Sequence, residues 1–374
     1  MDNAQCPPVS VVIPAYKMEA FLAETLDSVL ASDYPRLEVV VMDDGSPDAS
    51  YAIACRYAAG DPRVRAFTKA NGGVSSSRNA AIREARGDLI LPVDADNTID
   101  PTFISKAVTR LLSDPDIKVV APTSDFFGEK TGIWRLPPFS LHLLARRNIM
   151  DNCALYRKAD WARAGGYCET ILTREDWAFW IAMLKDGGRV ATLPEVLHHY
   201  RIRSNSKRVT HRGRKYEVFE QLNALYPEFF ERELHGPLRR WRSWSVLINR
   251  TRRLLHPRTI RLNPALTGLK YRVRALPAFV RYGHGRAVTG PEGEEEELEM
   301  TWGDLTVRVV ARPVRGFRRL TAGILSPTPA QRAFRTALKE AEGGITPVAS
   351  YTERCGLLLT HDYYVYLLTP EHDA

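Results

Sequence analysis

Between Val9 and Asp94, short apolar runs alternate with stretches of helical periodicity. Val9–Ile13 is β-branched and stops at Pro14, which reads as a central strand ending in a loop. Phe21, Leu22, Leu26, Val29 and Leu30 then recur at helical spacing until Ser32-Asp33-Tyr34-Pro35. Leu37–Met42 is a second strand, Asp48 to Ala59 a helix, Arg63–Phe67 a short strand, Asn71-Gly72-Gly73 a turn and Val74–Arg86 a helix. Leu89–Val93 is the fourth strand. A β-α-β-α-β-α-β order implies a mostly parallel sheet with helices on both faces.

Three of these strands end in unusual polar chemistry: Pro14-Ala15-Tyr16, Asp43-Asp44-Gly45-Ser46 and Asp94-Ala95-Asp96. In a parallel sheet these ends lie along one edge, where open α/β sheets bind ligands. Tyr16 could stack on a base, and a carboxylate could accept from a base N–H or ribose hydroxyls. Asp94 and Asp96, two apart, repel unless neutralised, and a divalent cation with a diphosphate would do so. Together these features describe a nucleotide-diphosphate site. Each also has a plainer reading: rim aromatic for Tyr16, helix cap for Asp43 or Asp44, and a helix N-terminus capped by Asn97 or Asp100 before Pro101 for the third. Neither a G-x-G-x-x-G fingerprint nor a Lys-bearing phosphate loop follows the first strand, which argues against NAD or ATP held in those ways.

At 374 residues, 44% hydrophobic and 26% charged, the chain has room for two domains or one large one. Five scattered cysteines form neither a disulfide framework nor a zinc pattern, as in a reducing compartment. The first residues carry no signal-peptide pattern, and no apolar stretch approaches membrane-spanning length. A cytoplasmic protein, soluble or peripheral at the inner face of the cell membrane, is expected. The net charge of +8 favours an anionic partner without choosing among nucleotide, lipid and nucleic acid.

Val11-Val12-Ile13-Pro14-Ala15-Tyr16, Val41-Met42-Asp43-Asp44-Gly45-Ser46, Asn71-Gly72-Gly73-Val74-Ser75-Ser76-Ser77-Arg78-Asn79 and Val93-Asp94-Ala95-Asp96 resemble, in order and spacing, the inverting family-2 glycosyltransferases of GT-A type fold. The resemblance covers roughly residues 9 to 205. It implies that Tyr16 and Asp44 contact the nucleotide base beside Asp43, and that Pro14, Ala15, Asn71 and Gly73 line the donor site. It further implies that Arg78 neutralises the donor side, and that Asp96 ligates Mn²⁺ or Mg²⁺ with Asp94 supporting it or contacting ribose. Arg78 could instead pair with a surface carboxylate.

Thr173-Arg174-Glu175-Asp176-Trp177 opens a helix in which Trp177, Trp180, Ile181 and Leu184 form the buried face. Thr173 could cap it, with Asp176 three residues on echoing a capping box. Inverting sugar transfer needs a base for the acceptor hydroxyl. By the resemblance that base is Asp176, with Glu175 as alternative or orienting neighbour, in a single in-line displacement. Further on, His198-His199-Tyr200-Arg201-Ile202-Arg203 puts Arg203 where family members often carry His. Arg201 or Arg203 could then bind the diphosphate, and His199 could act as a displaced metal ligand, although a lone His is more often structural.

From Leu238 to Pro291 there is no Asp or Glu, while Arg and Lys accumulate among Trp241, Trp244, Leu247, Ile248, Leu254 and Leu255. This is the pattern of a membrane-surface element, with a solvated helical face as the competing reading and a nucleic-acid patch the least favoured. The expected division is a catalytic domain over 1–210, a basic helical segment over 211–291 and a small α+β module over 292–374. In the module, Leu305, Val307 and Val309 mark a half-buried strand, Ser326-Pro327-Thr328-Pro329 starts a helix running to Gly343-Gly344, and His361-Asp362 sits at a hairpin.

The fold class is therefore α/β: a GT-A type nucleotide-diphospho-sugar transferase domain with a mostly parallel Rossmann-like sheet, then the basic segment and the module. The expected activity moves a sugar from a nucleotide-diphospho-sugar, UDP foremost, to a hydroxyl of a glycan or lipid-linked acceptor in cell-surface polysaccharide synthesis. The absence of Gln-x-x-Arg-Trp sets the chain apart from processive polymer synthases. The competing classes are a sugar-nucleotide nucleotidyltransferase and a non-catalytic glycan- or nucleic-acid-binding protein on the same fold.

Overall fold

The computed structural model of the chain describes residues 6–171, 173–204, 215–255, 258–281, 286–288, 296–302, 305–314, 327–339, 346–355 and 358–368. They fall into two compact units that meet in sequence at Val218/Phe219.

The first unit runs β1 (Val9–Ala15), α1 (Leu22–Leu30), β2 (Leu37–Asp43), α2 (Ser50–Gly60), β3 (Val64–Thr68), α3 (Val74–Glu84), β4 (Leu89–Pro92), β5 (Thr98–Ile99), α4 (Phe103–Leu112), β6 (Ile117–Gly128) and β7 (Gly132–Trp134). It continues with α5 (Leu141–Arg146), β8 (Leu155–Arg157), α6 (Lys158–Arg163), α7 (Glu175–Leu184) and β9 (Arg189–Ile202). The sheet order is β3-β2-β1-β4-β8-β6-β9-β5, with β7 added to β6. β3, β2, β1 and β4 are parallel neighbours, β8 is antiparallel to β4 and β6, and β6 and β9 are parallel. Every residue of β1 is buried. A strand covered on both faces reads as a continuous apolar run rather than an alternation, as Val9–Ile13 does.

Register places the polar strand ends together. Ala15 pairs with Asp43, and Asp43 with Thr68. The Val93 N–H donates to the Val12 carbonyl at 3.0 Å, so Asp94 follows directly along the same edge.

The sequence reads 148–157 as a strand, 189–193 as a short strand and 125–138 as irregular or a hairpin; the structure shortens the first, lengthens the second and makes the third a hairpin. Of 148–157 only Leu155–Arg157 is strand. Asn148 accepts from the Met150 N–H at 3.2 Å and Asp151 from the Cys153 N–H at 3.0 Å, side-chain bonds that compete with a ladder. β9 runs on through Ile202, and 125–134 is a hairpin of β6 and β7. At the start of α7 the cap position is Arg174, in the left-handed region with φ 61° and no side-chain cap bond, so Thr173 does not cap.

The second unit contains α9 (Pro227–Leu234), α10 (Ser245–Leu255), β10 (Arg258–Leu262), α11 (Lys270–Arg281), β11 (Arg286–Val288), β12 (Glu296–Trp302), β13 (Leu305–Pro313), α12 (Pro329–Lys339), β14 (Thr346–Cys355) and β15 (Leu358–Leu367); α8 (Lys215–Leu225) crosses the boundary. Its sheet is antiparallel, in the order β10-β14-β15-β13-β12-β11. β10 and β11 come from the basic stretch, so that stretch is not helical throughout and shares a sheet with the residues after 292. Residues 292–295, 326 and 340–345, which include half of the acidic run and the expected helix end, lie outside the described residues.

His361 and Asp362 are not at a turn but inside β15. Asp362 is buried because it accepts from the Thr328 hydroxyl and the Ala330 N–H, both at 2.9 Å, at the start of α12. Thr328 and Gln331 exchange backbone-to-side-chain bonds at 3.2 Å, a reciprocal capping box. Asp362→Ala should leave two donors unpaired and cost this unit roughly 1–3 kcal/mol in urea unfolding; an unchanged midpoint would rule out that anchoring role.

Among the described residues no helix is long and apolar enough to cross a membrane.

Candidate active site

The edge begins with Asp43 and Asp44, both buried. Asp43 Oδ2 accepts from the N–H groups of Gly45 and Ser46 at 3.1 Å and from the Thr68 hydroxyl at 2.9 Å. Asp44 Oδ1 accepts from Lys69 Nζ at 2.6 Å and the Gly72 N–H at 3.0 Å, and Oδ2 from the Gly73 N–H at 2.8 Å. Asn71 donates to the Asp44 carbonyl at 2.9 Å. The two carboxylates thus bind the loops that shape the edge. Gly45 makes this possible: its φ is +69°, and a Cβ there would lie 3.1 Å from the Lys69 carbonyl oxygen. Ala15 is buried, and its carbonyl takes the Asp44 N–H at 2.8 Å. Tyr16, next in the chain after Pro14 and Ala15, stands 41% exposed with the Lys17 ammonium 5.3 Å from its ring centre. It is the exposed flat surface of this edge.

Arg78 projects from α3 to join the two acidic motifs. Its side chain is 3% exposed, and it donates to Asp94 Oδ1 at 2.6 Å and to Glu175 Oε1 at 3.1 Å. Tyr167, which follows Gly165 and Gly166 at a turn, lies beneath it at 5.4 Å from ring centre to guanidinium carbon. Burial opposes the Arg78 charge, but Asp94 and Glu175 outweigh it and hold the guanidinium firmly protonated. Arg78 is therefore no surface pair.

Asp176 follows Glu175 on the first turn of α7 and is partly buried. Its Oδ1 accepts from the Trp177 N–H at 2.8 Å, and its Oδ2 from Asn148 Nδ2 at 2.6 Å. Burial, then the Glu175 charge, push its carboxyl up to about 7, against the opposing pull of the Trp177 N–H and Arg78. A carboxylate titrating near neutrality suits a general base. Asn148 was not legible as a partner in the sequence, since 28 positions separate it from Asp176. Tyr167 carried only the signal of its glycine turn.

Asp96 Oδ2 accepts from Arg203 at 2.5 Å. Burial and the Asp94 charge push its carboxyl above the usual range, while Arg203 pulls it down. Two of the expected residues have other partners here. Arg201 is not free for a diphosphate: it donates to the Asp96 carbonyl at 2.9 Å and to Glu24 at 2.5 Å, and its guanidinium carbon lies 4.2 Å from the Phe127 ring centre. His199 is held by another carboxylate. Its Nδ1 is 2.7 Å from Asp125 Oδ1, because β9 pairs with β6 and sets His199 opposite Asp125.

Among the described residues no group of three or more His, Cys, Asp or Glu is placed to hold a metal ion. The available donor set is Asp94 and Asp96, each with an arginine partner. Two carboxylates fit a Mg²⁺-type ion that draws its other ligands from substrate phosphates and water.

A Rossmann-like sheet with paired carboxylates at one edge, linked through a buried arginine to an acidic helix start, defines a domain of GT-A type. Residues 10–172 match the model of Glycosyl transferase family 2. The chain is 30% identical over 218 residues to the uncharacterized glycosyltransferase EpsJ of Bacillus subtilis, covering 54% of this chain and 62% of that protein. It is 27% identical over 185 residues to a chondroitin synthase of Pasteurella multocida, covering 48% of this chain and 19% of the synthase. The chain therefore spans less than two thirds of these relatives' length. The structure of S. aureus TarS 1-349 in complex with UDP-GlcNAc shares the fold, with a TM-score of 0.53 at 20% identity over 74% of this chain and 81% of that one.

Proposed function

We propose that the chain is an inverting glycosyltransferase that moves a sugar from a UDP-linked donor to a hydroxyl of a glycan or lipid-linked acceptor in cell-surface polysaccharide synthesis. The observation that carries this reading is Asp176: a carboxylate pushed up to about 7 that stays partly open to solvent. Asp176 would take the acceptor proton as the oxygen attacks the anomeric carbon opposite the diphosphate, with inversion. Asn148 holds one of its oxygens, so the other lone pairs face a fixed direction. Glu175 orients Arg78, and Arg78 holds Asp94 at the donor side.

Tyr16 would stack on the base, and Asp44 with Asn71 and Gly73 would fix the loop against which the base lies. Asp96, with Asp94 behind it, would hold a divalent ion, which when bound stabilises the charge of the departing diphosphate. Arg203 competes for the same oxygen of Asp96. Arg203→Met should therefore tighten Mn²⁺ binding, read as loss of free Mn²⁺ signal in solution, by about tenfold, the equivalent of one pKa unit. Unchanged Mn²⁺ affinity would separate Asp96 from the ion.

The donor class is tested by thermal stability with UDP, GDP and UDP-sugars, with and without Mn²⁺. A ligand at about a hundred times its Kd adds about 2.7 kcal/mol. A shift with UDP and none with GDP is the expected result; no shift with any nucleotide would overturn the donor site.

A further inference from the structure

We propose that α10 (Ser245–Leu255), with Trp241 and Trp244 just before it, is an interfacial helix that lies on an anionic lipid surface. The inference does not depend on the transferase reading. It rests on a reversal of the usual polarity of a surface helix, which buries an apolar stripe and turns polar residues to water. Here the buried residues of the helix are Ser245 and Asn249. Asn249 donates to the carbonyls of Leu234 and Pro237, both at 3.0 Å, and accepts from Arg239 Nε at 2.8 Å. The Ser245 hydroxyl accepts from the Arg239 N–H at 3.1 Å. Arg253 turns to Glu231 on α9. Polar side chains thus fasten the helix to its own unit.

The outward face is apolar. Trp241 is 69% exposed, Trp244 60%, Leu247 55%, Leu254 83% and Leu255 60%. Within the helical frame, positions 244, 247, 254 and 255 fall on one side at 100° per residue, with Thr251 between them. Arg250 and Arg252, both exposed, flank the stripe on either side. A stripe of Trp and Leu bordered by arginines is the composition of a helix lying at the headgroup level, its aromatic rings in the interface and its cations against lipid phosphates. Charge chooses the occupant: no Asp or Glu occurs from Leu238 to Pro291. A second copy of the chain on this face would set Arg250 and Arg252 against their own counterparts, since a two-fold interface pairs a patch with itself.

The full chain should co-float at low salt with vesicles of phosphatidylcholine and phosphatidylglycerol, and much less with phosphatidylcholine alone. The combined variant Trp244→Ser, Leu247→Ser, Leu254→Ser changes only outward side chains and should keep the melting profile. It should lower partitioning at least about tenfold through lost apolar burial. Arg250→Glu with Arg252→Glu should reduce anionic-vesicle binding about tenfold or more. Absence of flotation of the wild type at low salt, equal flotation of the triple variant, or equal capture by neutral vesicles would each overturn the proposal. So would a dimer, dissociated by the triple variant, in a chain that does not float, which would assign the face to a second copy.

Discussion

Asp176→Asn should abolish turnover by about two to four orders of magnitude, the contribution of a positioned general base, while leaving UDP binding intact. The same substitution should stabilise the protein at alkaline pH. The Asp176 carboxyl titrates at about 7 in the folded chain because burial and Glu175 penalise its charge. Its unfolded value is about 3.9. The folded state therefore holds a proton that the unfolded state releases between those pH values. Stability is greatest below pH 4 for this group and falls as pH rises through 7. By pH 8 ionised Asp176 should cost on the order of 2–4 kcal/mol, and Asn removes that cost. The check is urea unfolding of both proteins at pH 5 and pH 8: the advantage of the variant should grow with pH. The wild-type rate against pH should rise with an apparent pKa near 7. A variant that keeps turnover would dismiss Asp176 as the base, and a pH-independent stability difference would dismiss the perturbed carboxyl.

Arg78→Met should have the largest effect on stability. It removes the buried cation that faces both Asp94 and Glu175. Breaking a buried pair from one side leaves an uncompensated charge and costs about 3–5 kcal/mol. Here two carboxylates lose their partner, with Asp176 close by. Because Arg78 lowers the Asp176 pKa, its loss should also move the rising limb of any residual activity to higher pH. Arg78→Lys keeps one charge but lacks the fork that reaches two carboxylates, so it should recover stability only in part. A variant as stable as the wild type would show that Asp94 and Glu175 find other partners.

These two residues lie in motifs that were visible in the sequence, yet their relation was not. Arg78 was legible as a site residue within Asn71–Asn79, but its bond to Glu175 spans 97 positions. The parallel half of the sheet was readable because β1 and β2 are β-branched runs, β4 is a short apolar run, and β1, β2 and β3 each have a helix behind them. The antiparallel part was not: β8 is three residues long and β5 two, too short to show a period. The pairing of His199 has the same origin. Only the pairing of β9 with β6 decides that it meets Asp125, and only that pairing leaves Arg203, beyond the strand end, to reach Asp96.

The sequence by itself determined the doubly covered sheet, the edge to which Tyr16, Asp43, Asp44, Asp94 and Asp96 belong, and the acidic start of α7. These follow from local periodicity and from the rule that parallel strands present their ends together. The tertiary structure alone decided which charges meet: that Asp43 and Asp44 hold loops, that Arg203 stands on Asp96, and that Asp176 titrates near neutrality. It alone turned Ser245 and Asn249 inward and the leucines of α10 outward. Periodicity specifies the faces of a helix, but which face is buried depends on what packs against it. The charge state of a carboxylate depends on burial and on neighbours brought from distant positions in the chain.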